Sequence, residues 1–320
     1  MSNPSVAVIG SLTHIGQAVL ACLSERGFPT SHVYALDAHH NAGTLIPYCN
    51  TFLTVEALDD FDFSTTDLVF LCVASILSEY KEEATRHGCW LIDCTGLLSQ
   101  APVIIPNLNI RQADKAPNRQ IANPTSTTVT LAQVLSPIHH SFHIENASVT
   151  ALLSASEFGM DSAQALIDQT RCLYTRQEPP IGPFRKIQAF NLIPEADPRL
   201  THRSMQQLSA LLSFPIFVTG CLTPILLGEC YSVTLTTRRP CSPKRLRHLF
   251  NKQPCCHVLE KTMDYITITT QDVETEDRIF IEHPTSDITS PHILHFWVVS
   301  DSIRTGAALN AVKIAEHLLS

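Results

Sequence analysis

The chain has 320 residues, 44% of them hydrophobic, with 22 Lys and Arg against 30 Asp and Glu and a formal net charge of −8. This length and apolar content predict two domains around sizeable cores, and the acidic balance excludes a global field that draws in nucleic acid or anionic lipid. No apolar run is long enough to span a bilayer, Met1-Ser2-Asn3-Pro4 does not open a signal peptide, and 11 cysteines, an odd number scattered through apolar segments, read as reduced cytosolic thiols. The expectation is a cytoplasmic protein with no membrane and no nucleic-acid partner.

Val6-Ala7-Val8-Ile9 is a continuous apolar run ending at Gly10, so residues 5–9 read as a buried parallel strand. An amphipathic stretch over 15–25, stopping at Arg26-Gly27, predicts a helix. Strands are expected at 33–36, 68–73 and 90–93, with a helix around 78–87. Alternating strand and helix patterns argue for a doubly wound α/β domain with a parallel sheet.

Past residue 125 the pattern changes. A helix is expected over 127–139, and strands at 148–156, 225–236, 265–270, 278–281 and 293–300. These segments are long and β-rich, as in a mixed or antiparallel sheet. A last helix over 306–319 carries Ala307, Ala308, Ala311, Val312, Ile314, Ala315 and Leu318. No internal repeat is visible, and Pro179-Pro180 with Gly182-Pro183 mark an irregular loop.

Gly10-Ser11-Leu12-Thr13-His14-Ile15-Gly16 follows the first strand and opens the first helix, the context a nucleotide-binding turn requires. Glycines there let backbone approach a pyrophosphate, and the helix N-terminus adds a favourable field. Gly10, Ser11, Leu12, Thr13, Ile15 and Gly16 are therefore candidate contacts. Thr13 sits where many such turns have a middle glycine, and its Cβ would crowd a phosphate. Asp37, ending the second strand, would bond a ribose diol and repel a 2′-phosphate, favouring NAD over NADP. The alternative is a strand, turn and helix that bind nothing, with Asp37 a solvated turn residue.

Ile121-Ala122-Asn123-Pro124-Thr125-Ser126-Thr127-Thr128 resembles the nucleophile loop of aspartate-semialdehyde dehydrogenases, with Ser126 where the family has cysteine. Further anchors follow in order: Gly88-Cys89-Trp90-Leu91-Ile92-Asp93, Ala189-Phe190-Asn191-Leu192-Ile193-Pro194, and the segment from Arg304-Thr305-Gly306 through Lys313-Ile314-Ala315-Glu316. The whole chain thus resembles that family. The resemblance implies a Rossmann-type NAD(P)-binding domain over residues 1–124, completed by 302–320. It also implies an α/β dimerisation domain over 125–301 and a homodimer.

Family members join an acyl phosphate, NADPH and a cysteine thiolate through a thioacyl enzyme. A thiol, with a pKa of about 8.5, can be tuned for that task, whereas a serine hydroxyl needs a base against it. The family's basic histidine corresponds to Glu229, and its carboxylate-clamping arginine to Leu222. Its glutamine corresponds to Leu153, ahead of Ser154-Ala155-Ser156-Glu157-Phe158-Gly159, and its phosphate-binding arginine falls near Ser99. Loss of a whole cooperating set leaves only residual binding terms. The chain therefore resembles a non-catalytic paralogue group that bacteria carry beside the true enzyme. Such a pseudoenzyme would be dimeric, would retain NAD or NADP binding, and could associate with the true family enzyme. The alternative is an active NAD(P)-dependent oxidoreductase on an aldehyde or acyl-phosphate substrate of amino-acid biosynthesis.

Other features compete for chemistry. Ser126 with Glu229 could form a serine nucleophile and carboxylate base, but carboxylates are poor bases for a hydroxyl, and a polar residue capping the helix after Pro124 is the preferred reading. Cys221 and Cys230 neighbour the lost positions, yet strand alternation points each to the opposite face. Cys255-Cys256-His257 with Cys241 lacks zinc-site spacing, so no metal is expected. Arg238-Arg239 and Lys244-Arg245-Leu246-Arg247 read as a solvated helix face, with an acidic partner as the sharper possibility. Ser242-Pro243 supplies that helix's N-cap and first position.

Overall fold

The structure is a computed structural model that describes residues 4–28, 32–74, 77–98, 100–259, 267–287 and 289–320. The chain divides into two compact units, Met1–Thr125 with Ala307–Ser320, and Ser126–Gly306. Each is described by itself.

The first unit opens with strand β1 (Ser5–Ile9), helix α1 (His14–Glu25), β2 (His32–Asp37), β3 (Leu45–Tyr48) and β4 (Thr51–Ala57). It continues through β5 (Leu68–Leu71), α2 (Leu77–Arg86), β6 (Trp90–Asp93), the single turn α3 (Pro106–Asn109) and β7 (Gln120–Ala122). The sheet order is β3-β4-β2-β1-β5-β6-β7, parallel throughout except for the β3–β4 hairpin. Successive residues of β1 serve opposite sides. Val6 and Val8 join Val19, Leu20 and Leu23 of α1 in one core, while Ala7 and Ile9 join Phe63, Ala84 and Leu91 in another. That double burial explains why β1 and β5 read as unbroken apolar runs. The turn after β1 lies at the carboxyl end of the sheet where the strand order reverses, the place such folds use for ligands.

The second unit begins with α4 (Ser126–Phe142), followed by β8 (Ile144–Leu153), α5 (Met160–Tyr174), β9 (Ile193–Pro194), α6 (Pro198–Leu212) and β10 (Ile216–Leu222). It closes with β11 (Glu229–Thr237), α7 (Pro243–Phe250), β12 (Cys256–Val258), β13 (Ile279–Ser286) and β14 (Ile293–Ser300). A π-helical stretch at Arg304–Ala308 leads into α8 (Leu309–Leu318), which returns to the first unit and packs Ala311, Val312, Ile314 and Ala315 against α1.

The second sheet has the order β12-β13-β14-β11-β8-β10-β9 and mixed polarity, with β8–β10 and β12–β13 parallel and the remaining neighbours antiparallel. Along its central strands burial alternates with a period of two. Val149, Ala151 and Leu153 of β8 point to the helix-covered face, whereas Ser148 and Thr150 are exposed. The same period of two runs through β10 and β11.

Most expected elements are present with shifted ends: the helix expected over 127–139 spans Ser126–Phe142, and the strand expected over 148–156 begins at Ile144 and ends at Leu153. The expected strand 225–236 runs Glu229–Thr237, because Gly228 adopts φ +82 and ends the preceding turn. The expected strand 265–270 lies partly outside the described residues, and Thr267–Thr270 is not strand. There the Ile268 amide donates to the Glu282 side chain rather than to a ladder.

Candidate functional site

The loop that resembles the nucleophile loop runs from β7 into α4. In the first unit the Asn123 amide donates to the Asp93 carbonyl at 3.0 Å, and its side chain donates to the Ala307 carbonyl at 3.1 Å while accepting from Asn310 Nδ2 at 2.7 Å. Asn310 also donates to the Ile104 carbonyl at 3.0 Å. Both side chains are buried, so these two matching asparagines act as fixed struts.

Ser126 is the first residue of α4, within the second unit, and is 5% exposed. A Cβ placed on Gly306 would come within 2.6 Å of the Ser126 Cβ, so only glycine lets that segment lie against the serine. The Ser126 hydroxyl is 2.7 Å from Glu157 Oε1 and 2.8 Å from Glu229 Oε1. The fully buried Tyr231 donates its phenol to the other oxygen of Glu229. The expected capping role of Ser126 is thus corrected: its oxygen is occupied by two carboxyl groups brought in by β11 and the turn after β8.

One serine hydroxyl has a single proton to give. Two carboxylates cannot both accept it, so one of them carries a proton of its own. Burial and the facing Glu229 carboxylate hold Glu157 well above the usual carboxylate range. Burial raises Glu229 too, but hydrogen bonds from Tyr231, Ser126 and Glu157 oppose that rise. The consistent assignment is one proton shared between the Glu157 and Glu229 carboxyl groups, with Ser126 donating to the pair and Tyr231 donating to Glu229. The Tyr231 phenol is pushed well above its ordinary value by burial and by Glu229, and stays a donor.

This arrangement opposes acyl transfer. The Ser126 hydroxyl is engaged by two carboxyl oxygens, and a developing oxyanion beside it would face that same carboxyl pair. The positions that the family resemblance matches to its substrate clamps are apolar. Leu153 and Leu222 are register partners on β8 and β10, each nearly fully buried, and Leu222 belongs to a cluster with Ala155, Ala163, Leu166 and Ala189. A substrate carboxylate there would lose water without gaining a cation. Glu157 was not singled out in the sequence, although it lies in the segment that follows the matched Leu153, where an acid amid small residues is the signal that could have found it.

Cys221 and Cys230 flank Leu222 and Glu229 on the opposite face, as alternation requires. Burial pushes the Cys230 thiol up to about 11 and also raises Cys221. All eleven cysteines are free. Among the described residues no group of three or more His, Cys, Asp or Glu is arranged to hold a metal ion. Cys255 and Cys256 lie 3.8 Å apart at sulfur, and Cys241 is buried against the Ser242 carbonyl. Ser99, the expected phosphate-arginine position, lies outside the described residues.

At the glycine-rich turn, Thr13 turns its side chain inward. Its hydroxyl donates to the Gly10 carbonyl at 2.7 Å and accepts from the Gly16 amide at 3.0 Å, capping α1. Gly16 packs so closely that an added Cβ would meet the Gly10 oxygen at 2.2 Å. The Leu12 amide donates to Asp37 Oδ2 at 3.2 Å, while Asp37 Oδ1 accepts from the Ala38 amide and Asn41 Nδ2. Asp37 therefore braces the turn instead of standing as a solvated turn residue. The amides of His14 and Ile15 in the first helical turn are the donors left for an anion. Ser11 Oγ and His14 Nδ1 are buried without a hydrogen-bond partner, as groups designed to meet a bound phosphate or ribose would be. The residues present fit a dinucleotide.

A parallel-sheet unit with a bonded glycine turn, together with a helix-backed mixed sheet carrying a polar centre at the start of α4, defines a two-domain protein of the nucleotide-dependent dehydrogenase fold. Residues 5–116 match the semialdehyde dehydrogenase NAD binding domain and residues 135–305 the semialdehyde dehydrogenase dimerisation domain. The chain belongs to the semialdehyde dehydrogenase family. It is 27% identical to an aspartate-semialdehyde dehydrogenase of Rickettsia typhi, over 99% of this chain and 98% of that protein. It is 30% identical to a USG-1 protein homolog of Pseudomonas aeruginosa, over 100% and 99%. The solved structure of a probable aspartate-semialdehyde dehydrogenase from Pseudomonas aeruginosa superimposes with a TM-score of 0.92 at 28% identity, covering 100% of this chain and 99% of that one.

Proposed function

We propose that this chain is a dimeric, nucleotide-binding member of the family that has lost acyl-enzyme chemistry. The observation that carries the reading is the Ser126 hydroxyl held between Glu157 and Glu229. A family catalyst presents a thiolate and a basic imidazole at this place. Here a weak nucleophile is enclosed by acids, and the clamp positions are Leu153 and Leu222.

The Gly10–Gly16 turn and Asp37 support retained NAD(P) binding. In that role the amides of His14 and Ile15 and the side chain of Ser11 would meet phosphate, and Asp37 would favour NAD. Bound nicotinamide would supply hydride chemistry, and the Ser126 cluster offers that chemistry no thioacyl partner.

The exposed sheet face supports a homodimer. Across β8, β10 and β11 it presents Ser148, Thr150, Phe217, Thr219, Ser232 and Thr234, and these carry no charge. Phe217 is 68% exposed. An uncharged face with an open aromatic residue is the composition of a surface that a second copy covers. Association with a true family enzyme would use the same face. Eleven free thiols support a reducing, cytoplasmic setting, and among the described residues no helix is long and apolar enough to cross a membrane.

The test is an assay of the purified protein with aspartate semialdehyde, phosphate and NAD or NADP, paired with thermal-shift titration of each nucleotide. The reading expects stabilisation by nucleotide without turnover. Turnover would establish the rival, an active oxidoreductase with a serine-centred mechanism.

A further inference from the structure

We propose that the basic groove beside α7 is a binding site for a small phosphate-bearing anion of two or more charges. It uses neither the Ser126 cluster nor the Gly10–Gly16 turn, so it stands apart from the functional reading above. Between residues 238 and 259 the chain has no Asp or Glu but holds six of its 22 Lys and Arg. In a protein of net charge −8 that is a local inversion of sign. A cavity of about 440 Å³ lies there, between the end of α4 and one face of α7.

Lys244, His248 and Lys252 recur at intervals of four along α7 and its final turn, and all three line the cavity. Lys244 and Lys252 lie two turns apart on the same face. A solvated helix normally breaks such a stripe with carboxylates, and none is present here. Among the described residues neither Lys244, Arg245 nor Lys252 joins an ion pair, whereas Arg238 nearby pairs with Glu145.

Arg245 is also held in place. Its guanidinium lies 5.0 Å from the centre of the Phe142 ring and donates to the Pro240 carbonyl at 3.2 Å. Such holding lowers the ordering cost of binding. Phe142 and Leu249 add an apolar wall for the organic part of a ligand. A cavity of this volume lined by several cations has room for a small anionic metabolite. Phosphate oxygens match the planar Arg245 fork and the lysine point charges.

The experiment is calorimetric titration of the full-length protein with sodium pyrophosphate at low ionic strength. The same titration is run on Lys244→Gln/Lys252→Gln and on Arg245→Lys, and thermal midpoints confirm that each variant is folded. Saturable binding is expected in the unchanged protein, weakened at least tenfold in the double variant and to a smaller extent in Arg245→Lys. Absence of binding overturns the proposal. So does binding that the double variant retains, which would place the anion at the glycine turn. Capture of poly-L-glutamate in place of pyrophosphate would also overturn it, in favour of a surface for acidic protein.

Discussion

The hydroxyl of Ser126 lies 2.7 Å from one carboxyl oxygen of Glu157, in the turn after β8, and 2.8 Å from one of Glu229, the first residue of β11. The pair requires a proton beyond the one the serine owns, and that requirement links the site to pH. Glu157 has a folded-state pKa raised well above 4.5. A carboxyl so raised binds a proton more tightly in the folded chain than in the unfolded one. Its stabilising contribution is therefore complete below about 4.5 and is lost as pH rises through the folded value. Glu157→Gln keeps an oxygen that accepts from Ser126 and removes the titration. Urea denaturation across pH 5 to 9 should show stability falling with pH in the parent and a flatter profile in the variant. A parent profile as flat as the variant's would contradict the shared-proton assignment.

Ser126→Cys should not restore turnover. The introduced thiol would lie among buried carboxyl groups, which raise a thiol's pKa and suppress the thiolate. Peptide-level mass spectrometry after timed iodoacetamide labelling should find it modified more slowly than the exposed Cys49. Fast labelling would mean that the cluster opens in solution.

Gly306→Ala should destabilise the second unit by about 1–3 kcal/mol, the usual cost of forcing a methyl group into a packed contact. The new Cβ would stand 2.6 Å from that of Ser126 and 2.8 Å from its Cα. Chemical denaturation measures the loss, and unchanged stability would show that the two segments separate easily.

Asn310→Ala should cost about 1–3 kcal/mol in the first unit, because the Ile104 carbonyl and the Asn123 side chain would lose a buried donor. The same denaturation experiment reads it. No catalytic role is needed to explain why this asparagine matches the family pattern.

Asp37→Ala should reduce nucleotide stabilisation in two ways. It frees the Leu12 amide, loosening the turn, and it removes the acidic group expected to bond the ribose diol and to repel a 2′-phosphate. Thermal-shift titration should show NAD preferred over NADP in the parent and the preference lost in the variant. An equal response to both nucleotides in the parent would rule out discrimination by Asp37.

Much of the first unit was legible because parallel strands buried on both faces leave continuous apolar runs, as in Val6–Ile9 of β1. The hairpin β3–β4 left no such trace. Its exposed Leu45 and Phe52 and its polar threonines follow an edge position rather than a core pattern. Strand alternation also correctly turned Cys221 and Cys230 away from the site.

The sequence by itself determined the alternating strand and helix pattern of the first unit outside the β3–β4 hairpin, the family resemblance, and the serine and glutamate at the matched positions. Those properties are local: residue type, spacing and periodicity carry them. Only the tertiary structure decided what Ser126 touches. Glu157 and Glu229 are 31 and 103 residues from it along the chain, and Tyr231 reaches the cluster only because β11 alternates it onto the same face as Glu229. The shared proton exists because folding removes water from groups whose closeness no linear pattern records. Thr13 followed the same rule: its identity predicted crowding of a phosphate, but the closed turn spends its hydroxyl on capping α1.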